Sequence, residues 1–148
     1  LVRAILEGAA LAIRHIVAPM QEAGIPIRSM VVCGGPAQSR LWNQVKADVT
    51  GLRVEVPAIL ETAVVGAAVA AAAAVGRYPD LATAIGGMVR IERVLEPRAA
   101  NRETYDRLFE AYTALYPAMA PVLRPLWLAD TDHEPAGHDH PVASEAAR

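Results

Sequence analysis

The pattern of apolar and polar positions at the start of the chain predicts a long helix. Between Leu1 and Ala23, apolar residues recur every three or four positions, and charged residues mark a separate stripe. This period is typical of an amphipathic helix that buries one face in a core. Pro19 removes a backbone donor, so we expect the helix to kink there or to end near Val17.

The next pattern is a short apolar run from Met30 to Cys33 that ends in Gly34 and Gly35. A run of this length next to glycines predicts a buried strand followed by a tight turn. Ser39 is placed to cap a helix that ends at Gly51. Four apolar residues follow the cap at helical spacing: Leu41, Trp42, Val45 and Val49.

This strand, turn and helix form a candidate phosphate or nucleotide site. Glycines let the backbone approach a ligand closely, and the amides and dipole at a helix N-terminus favour an anion. The signal is weak by itself, because two adjacent glycines at the end of a strand more often form only a turn. Both interpretations stay open on the pattern alone.

Further along the chain, strand and helix patterns alternate. Arg53 to Val56 predicts a short strand, and Thr62 is a plausible cap for an alanine-rich helix that reaches about Val75. Asp80 predicts the cap of a short helix that ends at Gly86-Gly87. The run Met88–Val94 has a strand-like or extended pattern.

The last periodic segment predicts an amphipathic helix from near Asn101 to Tyr116. We expect its aromatic stripe to be packing surface. Pro117, Pro121 and Pro125 should break up the chain beyond it. From residue 129 the sequence is small and polar, which predicts a disordered tail over 129–148 after a folded region over 1–128.

The order of these elements predicts an α/β fold with an incomplete sheet flanked by helices. Two firm strands do not make a stable sheet, so we expect further strands from elsewhere. The chain has 148 residues, of which 53% are hydrophobic, enough for one domain or a large part of one. Its formal charge of -2 and pI near 6.1 give no reason to expect nucleic acid or a membrane as a partner.

Single polar residues give no catalytic or metal site. We expect the one cysteine, Cys33, to be a buried thiol in a protein of the reducing cytoplasm. His15 is expected to be solvated or to cap a helix, and Asp48 to be a solvated carboxylate unless another group holds it. Three histidines and three aspartates in the tail could bind a metal adventitiously, but a plain polar tail is the better interpretation.

Four motifs in combination resemble the C-terminal domain of the FGGY carbohydrate kinases, most nearly the xylulokinase-like members. They are R-A-x-x-E-G in the first helix, Gly-Gly at the end of the strand, S-x-x-W-x-Q-x-x-A-D-x-x-G, and E-x-x-x-x-G-A-A. The similarity runs from Leu1 to about Tyr116. It implies the C-terminal half of a two-domain fold of the actin, hexokinase and heat-shock-chaperone (ribonuclease H-like) type, with ATP and sugar in the cleft between the domains.

The resemblance also implies roles for residues of the turn. Gly34 and Gly35 correspond to the adenosine-binding motif, Ser39 to the position near the adenine, and Gln38 is a weaker candidate. The alanine helix that begins at Ala63 would pack beside the turn through Gly66. Two residues depart from the family: Pro36 should stiffen the turn, and Arg40 stands where some relatives have a neutral residue.

The same resemblance places the catalytic base, the loop that handles phosphate and Mg²⁺, and the sugar contacts upstream of Leu1. The prediction is therefore an ATP-binding C-terminal portion of a kinase that phosphorylates a pentulose or related sugar hydroxyl, inactive as an isolated fragment. ATP and Mg²⁺ are its expected cofactors, with the metal held mainly by the missing part. The sugar would bind through the missing N-terminal domain, and a homodimer is left open.

One alternative is a non-catalytic nucleotide-binding or interaction remnant of such a kinase. The coding sequence upstream of Leu1 would separate a fragment of an enzyme from a short gene product. A dinucleotide-dependent oxidoreductase has little support, because the turn lacks G-x-G-x-x-G and Pro57 stands where an acidic residue is needed.

Overall fold

The computed structural model describes residues 1–130, with side chains through residue 123. Residues 1–112 form one compact unit, and a second unit begins at residue 113. Two 3₁₀ turns, Gly35–Gln38 and Ala99–Asn101, precede the second and fifth helices. The helices and strands are α1 (Val2–Glu22), β1 (Ser29–Val31), α2 (Arg40–Thr50), β2 (Arg53–Pro57), α3 (Thr62–Ala74), α4 (Leu81–Met88), β3 (Ile91–Leu95) and α5 (Arg102–Asp130).

The three strands form one sheet in the order β1-β2-β3. β1 and β2 are parallel, with Met30 opposite Val54, and α2 makes the crossover between them. β3 is antiparallel to β2, with Leu95 opposite Val54, and a bulge between Val56 and Pro57 ends the regular pairing. The strand-like run forms β3 from Ile91 onward, whereas its first residue, Met88, ends α4. The mixed α/β architecture predicted from the sequence is confirmed.

Helix α2 lies between two apolar clusters. One side of it packs on the sheet, in a cluster formed by Val32, Ala37, Ala47, Val54, Val56 and Leu95. Its other side packs on α1 and α5, in a cluster formed by Ala10, Leu11, Val45, Val49 and Tyr105 with Trp42, Phe109 and Tyr112 beside it. Three aromatic residues of α5 thus pack in this cluster, as predicted, whereas Tyr116 is exposed. His15 is exposed, and its ring lies edge-on to those of Phe109 and Tyr112.

The carboxylate of Asp48 ties α2 to the segment that leads into α5. Its Oδ1 accepts from the Gln44 side chain and the Arg98 amide, both at 2.8 Å, and its Oδ2 accepts from Asn101 Nδ2 at 2.7 Å. Arg98 Nε lies 3.3 Å from Oδ2, and Asp48 is only 4% exposed. The expectation of a solvated carboxylate was wrong, because partners about 50 residues away in sequence enclose it.

The helix ends predicted at prolines were also wrong, whereas a kink at Pro19 stays a prediction. Helix α1 continues through Pro19 to Glu22, and the Ala23 amide donates to the Pro19 carbonyl at 2.9 Å. Helix α5 continues through Pro117, Pro121 and Pro125. These three prolines are four residues apart, so their missing N–H groups fall on one side of the helix, where a bend can absorb their loss.

The ends of α3 and α4 differ from the prediction as well. Thr62 is the first residue of α3, and the cap position is Glu61, whose side chain makes no capping bond. Asp80 does cap α4, since its Oδ1 accepts from the Thr83 amide at 2.7 Å. Helix α4 then continues through the glycine pair to Met88. A Cβ at Gly87 would stand 2.9 Å from the ring of Tyr78, so the close packing of that ring favours glycine there.

No helix in the described part of the chain is long and apolar enough to cross a membrane. The predicted polar tail over 129–148 and its histidine cluster lie almost wholly outside the described residues. Among residues with described side chains, no group of three or more metal-ligating residues comes together.

Candidate functional site

The candidate site is the glycine turn, which we define as residues 34–39 between β1 and α2. Gly34 has φ 73° and ψ −175°, a backbone conformation that is almost exclusive to glycine. Its amide donates to the Leu60 carbonyl at 2.9 Å, which ties the start of the turn to the loop before α3. An ideal Cβ at Gly35 would meet no atom within 4 Å, so the backbone there faces open space.

The end of the glycine turn begins helix α2. The Oγ of Ser39 accepts from the Trp42 amide at 3.2 Å, which confirms Ser39 as the cap. The remaining amides of the first helical turn have no acceptor within the helix, and the partial positive charge of the helix dipole lies there. The structure therefore places an exposed strand-to-helix turn next to a helix N-terminus, which is an arrangement that suits an anionic ligand.

The four residues predicted for the site are successive parts of this turn. Gly34 is half-buried, while Gly35, Gln38 and Ser39 are exposed. Within the described residues, the Gln38 side chain has no hydrogen bond, and Ser39 uses its hydroxyl to cap α2. Contact of these residues with a nucleotide stays a prediction.

Pro36 stands at the start of the 3₁₀ turn, where its fixed φ suits the helical backbone and its missing N–H leaves no bond unmade. The turn continues through hydrogen bonds from the Ala37 amide to the Gly34 carbonyl at 3.1 Å and from the Ser39 amide to the Pro36 carbonyl at 3.2 Å. Stiffening of the turn by Pro36 stays a prediction.

The predicted packing of α3 beside the turn is only partly seen. Leu60 packs against the sheet cluster and accepts from Gly34, so the loop before α3 does touch the turn. Gly66 is exposed, and a Cβ there would meet nothing within 4 Å. No described residue therefore packs closely on α3 at Gly66.

Cys33 was predicted to be buried, and it is exposed instead. The strand alternates, so Val32 faces the sheet cluster and Cys33 faces the other way. Close by, Lys46 is only 8% exposed, and its Nζ lies 4.6 Å from the centre of the Trp42 ring. Burial lowers the pKa of the Lys46 ammonium, and its electrostatic interaction with Cys33 offsets part of that effect.

Sequence reasoning missed Asn43, a fully buried polar residue behind the turn. Its Nδ2 donates to the Ala37 carbonyl at 2.7 Å, and its Oδ1 has no partner among the described residues. In the sequence it occupies the variable position of the W-x-Q motif, so the motif did not indicate a role for it. An asparagine in the middle of a predicted amphipathic helix, one turn after the cap, was the only available hint.

A concavity lies between the end of β2 and α4. It has a volume of about 430 Å³, and its lining includes Ile59, Val65 and Met88. Arg90 is the only charged residue among the described residues that line it. These lining residues include no acid, histidine or cysteine, so they offer neither a catalytic base nor a nucleophile.

Comparison with known proteins identifies relatives of this chain. A family model described as the C-terminal domain of the FGGY family of carbohydrate kinases matches residues 1–75. An autoinducer-2 kinase from Enterobacter sp. (strain 638) is 36% identical over 117 residues, covering 78% of this chain and 22% of the relative. A ribulokinase from Mycolicibacterium smegmatis is 38% identical over 117 residues, covering 77% of this chain and 20% of the relative.

Solved structures give a similar result. The crystal structure of a xylulose kinase from Rhodospirillum rubrum superposes with a TM-score of 0.71 at 34% identity, covering 82% of this chain and 25% of that one. The crystal structure of a xyloylose kinase from Brucella ovis gives a TM-score of 0.67 at 32% identity, covering 80% of this chain and 25% of that one. The chain spans about a fifth to a quarter of the length of the relatives that it matches.

Proposed function

The chain belongs to the FGGY family of carbohydrate kinases, within its C-terminal domain, and we propose from this premise that it is the ATP-binding portion of a sugar kinase. The substrate we propose is a pentulose or a related sugar with a free hydroxyl, because relatives at 34–38% identity carry the names ribulokinase and xylulose kinase. Transfer of the γ-phosphoryl of ATP to that hydroxyl is the corresponding reaction.

The observation that carries the proposal is the exposed glycine turn in front of the capped N-terminus of α2. We assign Gly34 and Gly35 to the adenosine end of ATP, where the open space beside Gly35 lets a ligand approach the backbone. Ser39 and Gln38 lie at the far end of the same turn, and we assign them to the adenine side.

Phosphoryl transfer needs a base for the sugar hydroxyl and a metal that neutralises the phosphates. Among the residues with described side chains, no carboxylate lies in the glycine turn, and no three metal-ligating side chains cluster. We propose that the base and most Mg²⁺ ligands belong to a part of the kinase outside these 148 residues. These residues alone would bind ATP without turning it over. We also propose the cytoplasm as its location, since that compartment supplies ATP.

Calorimetry with ATP, together with an assay for ADP formation with D-xylulose and D-ribulose, tests this proposal. We expect ATP to bind and no sugar-dependent ADP to form. Sugar-dependent ADP formation would overturn the assignment of the base to another part of the kinase. Absence of ATP binding at millimolar concentration would overturn the assignment of the turn.

A second experiment distinguishes a non-catalytic remnant from a working portion of an enzyme. The N-terminal part of a family kinase is added to this chain as a separate polypeptide. If the two parts together phosphorylate a sugar, the chain is a working portion of an enzyme. If they associate but remain inactive, while the intact relative is active, the remnant is favoured.

A further inference from the structure

We propose that Asn43 is a positioning residue, which holds the glycine turn in its ligand-ready shape through the bond from its Nδ2 to the Ala37 carbonyl. This inference rests on the proposed function for its link to nucleotide, but not for its effect on the turn. The bond is 2.7 Å long and is made by a side chain with no exposed surface.

The orientation of the Asn43 carboxamide follows from its neighbour. If the amide were flipped, its oxygen would stand against the Ala37 carbonyl oxygen at hydrogen-bond distance, and two acceptors repel each other. Nδ2 must therefore face Ala37, and Oδ1 is left without a donor among the described residues. The unpaired oxygen is a consequence of keeping the Nδ2 bond.

The stability of helix α2 does not explain why an asparagine stands at this position. Asparagine is a poor former of helix interiors, and a buried acceptor without a partner opposes folding. Ala37 is also fully buried, so water does not reach it, and Asn43 is the donor that its carbonyl has in the structure. Without Asn43, that carbonyl would be unpaired, and the turn would have to rotate to find another donor.

Besides the Ser39 cap on α2, two hydrogen bonds anchor the turn, and Asn43 provides the second. Leu60 accepts from Gly34 at the start of the turn, and Asn43 donates to Ala37 near its end. Gly35 and Pro36 lie exposed between the two anchors. Loss of the second anchor would leave the backbone between Gly34 and Ser39 without its hydrogen bond to the Asn43 side chain of α2.

The first test compares Asn43→Leu with the matched variant Gln44→Met in the full chain. Each change replaces a carboxamide on α2 with an apolar side chain of similar size. The Gln44 amide, however, contacts Asp48 and the Glu96 carbonyl, away from the turn. We expect Asn43→Leu to speed amide hydrogen exchange at Ala37 and Gln38 by about tenfold, and Gln44→Met to leave it unchanged. Unchanged exchange in Asn43→Leu would overturn the proposal.

A second variant, Asn43→Asp, keeps the shape of the side chain. Its ability to donate a hydrogen bond to the Ala37 carbonyl then depends on pH. A protonated carboxyl can donate its O–H to the Ala37 carbonyl, whereas a carboxylate cannot. After correction for intrinsic exchange, the turn amides of this variant should become protected as pH falls, whereas the wild type shows no such change. This test remains available if Asn43→Leu fails to fold, and a profile parallel to the wild type would contradict the proposal.

Titration with ADP tests the link to nucleotide separately from the role of Asn43 in the turn. We expect Asn43→Leu to weaken ADP binding about fivefold, whereas Gln44→Met retains the wild-type affinity. Equal affinities in Asn43→Leu and the wild type would overturn the link to nucleotide. If the wild-type chain binds no ADP, the proposed function fails, while the exchange experiments still decide the role of Asn43 in the turn.

Discussion

Gly34 adopts φ 73° and ψ −175°, and its Cβ position has space, with Pro36 Cδ at 4.0 Å as the nearest atom. Substitution with alanine is therefore strained by the backbone and not by a clash. We expect Gly34→Ala to lower the free energy of unfolding by about 2 kcal/mol, measured by urea denaturation. Gly35→Ala is the matched control, because Gly35 has no positive φ and its Cβ meets nothing. Equal losses in both variants would show that Gly34 is not strained.

Lys46 carries a charge at a position that the fold buries, and this lowers its pKa. The unfolded chain therefore binds the proton more tightly than the folded chain does. Below the folded pKa, the burial cost is fully present, and it is relieved as pH rises from the folded pKa towards the unfolded value near 10.5.

Replacement of Lys46 by methionine should remove this cost. We expect Lys46→Met to raise the free energy of unfolding at pH 7 by about 1 kcal/mol, after loss of the contact with the Trp42 ring. The gain should shrink as pH approaches 10, which urea denaturation at several pH values measures. A gain that grows with pH, or a loss at pH 7, would contradict this account of the buried ammonium.

At the scale of elements, Asp48 connects α2 to the start of α5. Its carboxylate accepts from three groups and pairs with Arg98. Asp48→Asn turns one acceptor oxygen into a donor that faces other donors, so we expect a loss of about 2 to 3 kcal/mol in the free energy of unfolding.

The matched control is Asp106→Asn, which removes a carboxylate that pairs with Arg14 and Arg102 but is 39% exposed. Solvent screens these ion pairs, so they stabilise the fold less. We therefore expect the free energy of unfolding to fall by less than about 1 kcal/mol. Thermal unfolding followed by circular dichroism compares the two variants. A larger loss in Asp106→Asn than in Asp48→Asn would show that the Asp48 contacts do not hold the elements together.

Local signals predicted several element ends correctly. Ser39 and Asp80 cap helices, and Gly51 adopts φ 71° at the end of α2, since each of these depends on neighbours within four residues. Cys33 and Asp48 were misjudged because their exposure depends on strands and helices that are distant in sequence. Local rules also overstated Pro19, because the tertiary fold can carry a helix across a single missing bond.

At the scale of the whole molecule, family membership and architecture agree with the motifs in the sequence. The order of α1, the glycine turn, α2 and α3 carried the resemblance, and both the family model and the xylulose kinase structures match it. The buried bond from Asn43 to Ala37 could not be predicted, because it depends on the packing of a turn against the helix that follows it. The order of motifs therefore identifies the family, whereas the hydrogen bond that holds the glycine turn is found only from the coordinates.

The central claim is that the glycine turn binds the adenosine end of ATP. The most direct measurement is a titration of the ¹⁵N-labelled chain with ADP, followed by backbone amide shifts, for the wild type and for Gly35→Ala. We predict that shifts concentrate at Gly34, Gly35, Gln38 and Ser39, and that Gly35→Ala, which stays folded, binds at least tenfold more weakly because its methyl group fills the approach to the backbone. Shifts that avoid this turn, or equal affinity in the variant, would contradict the account.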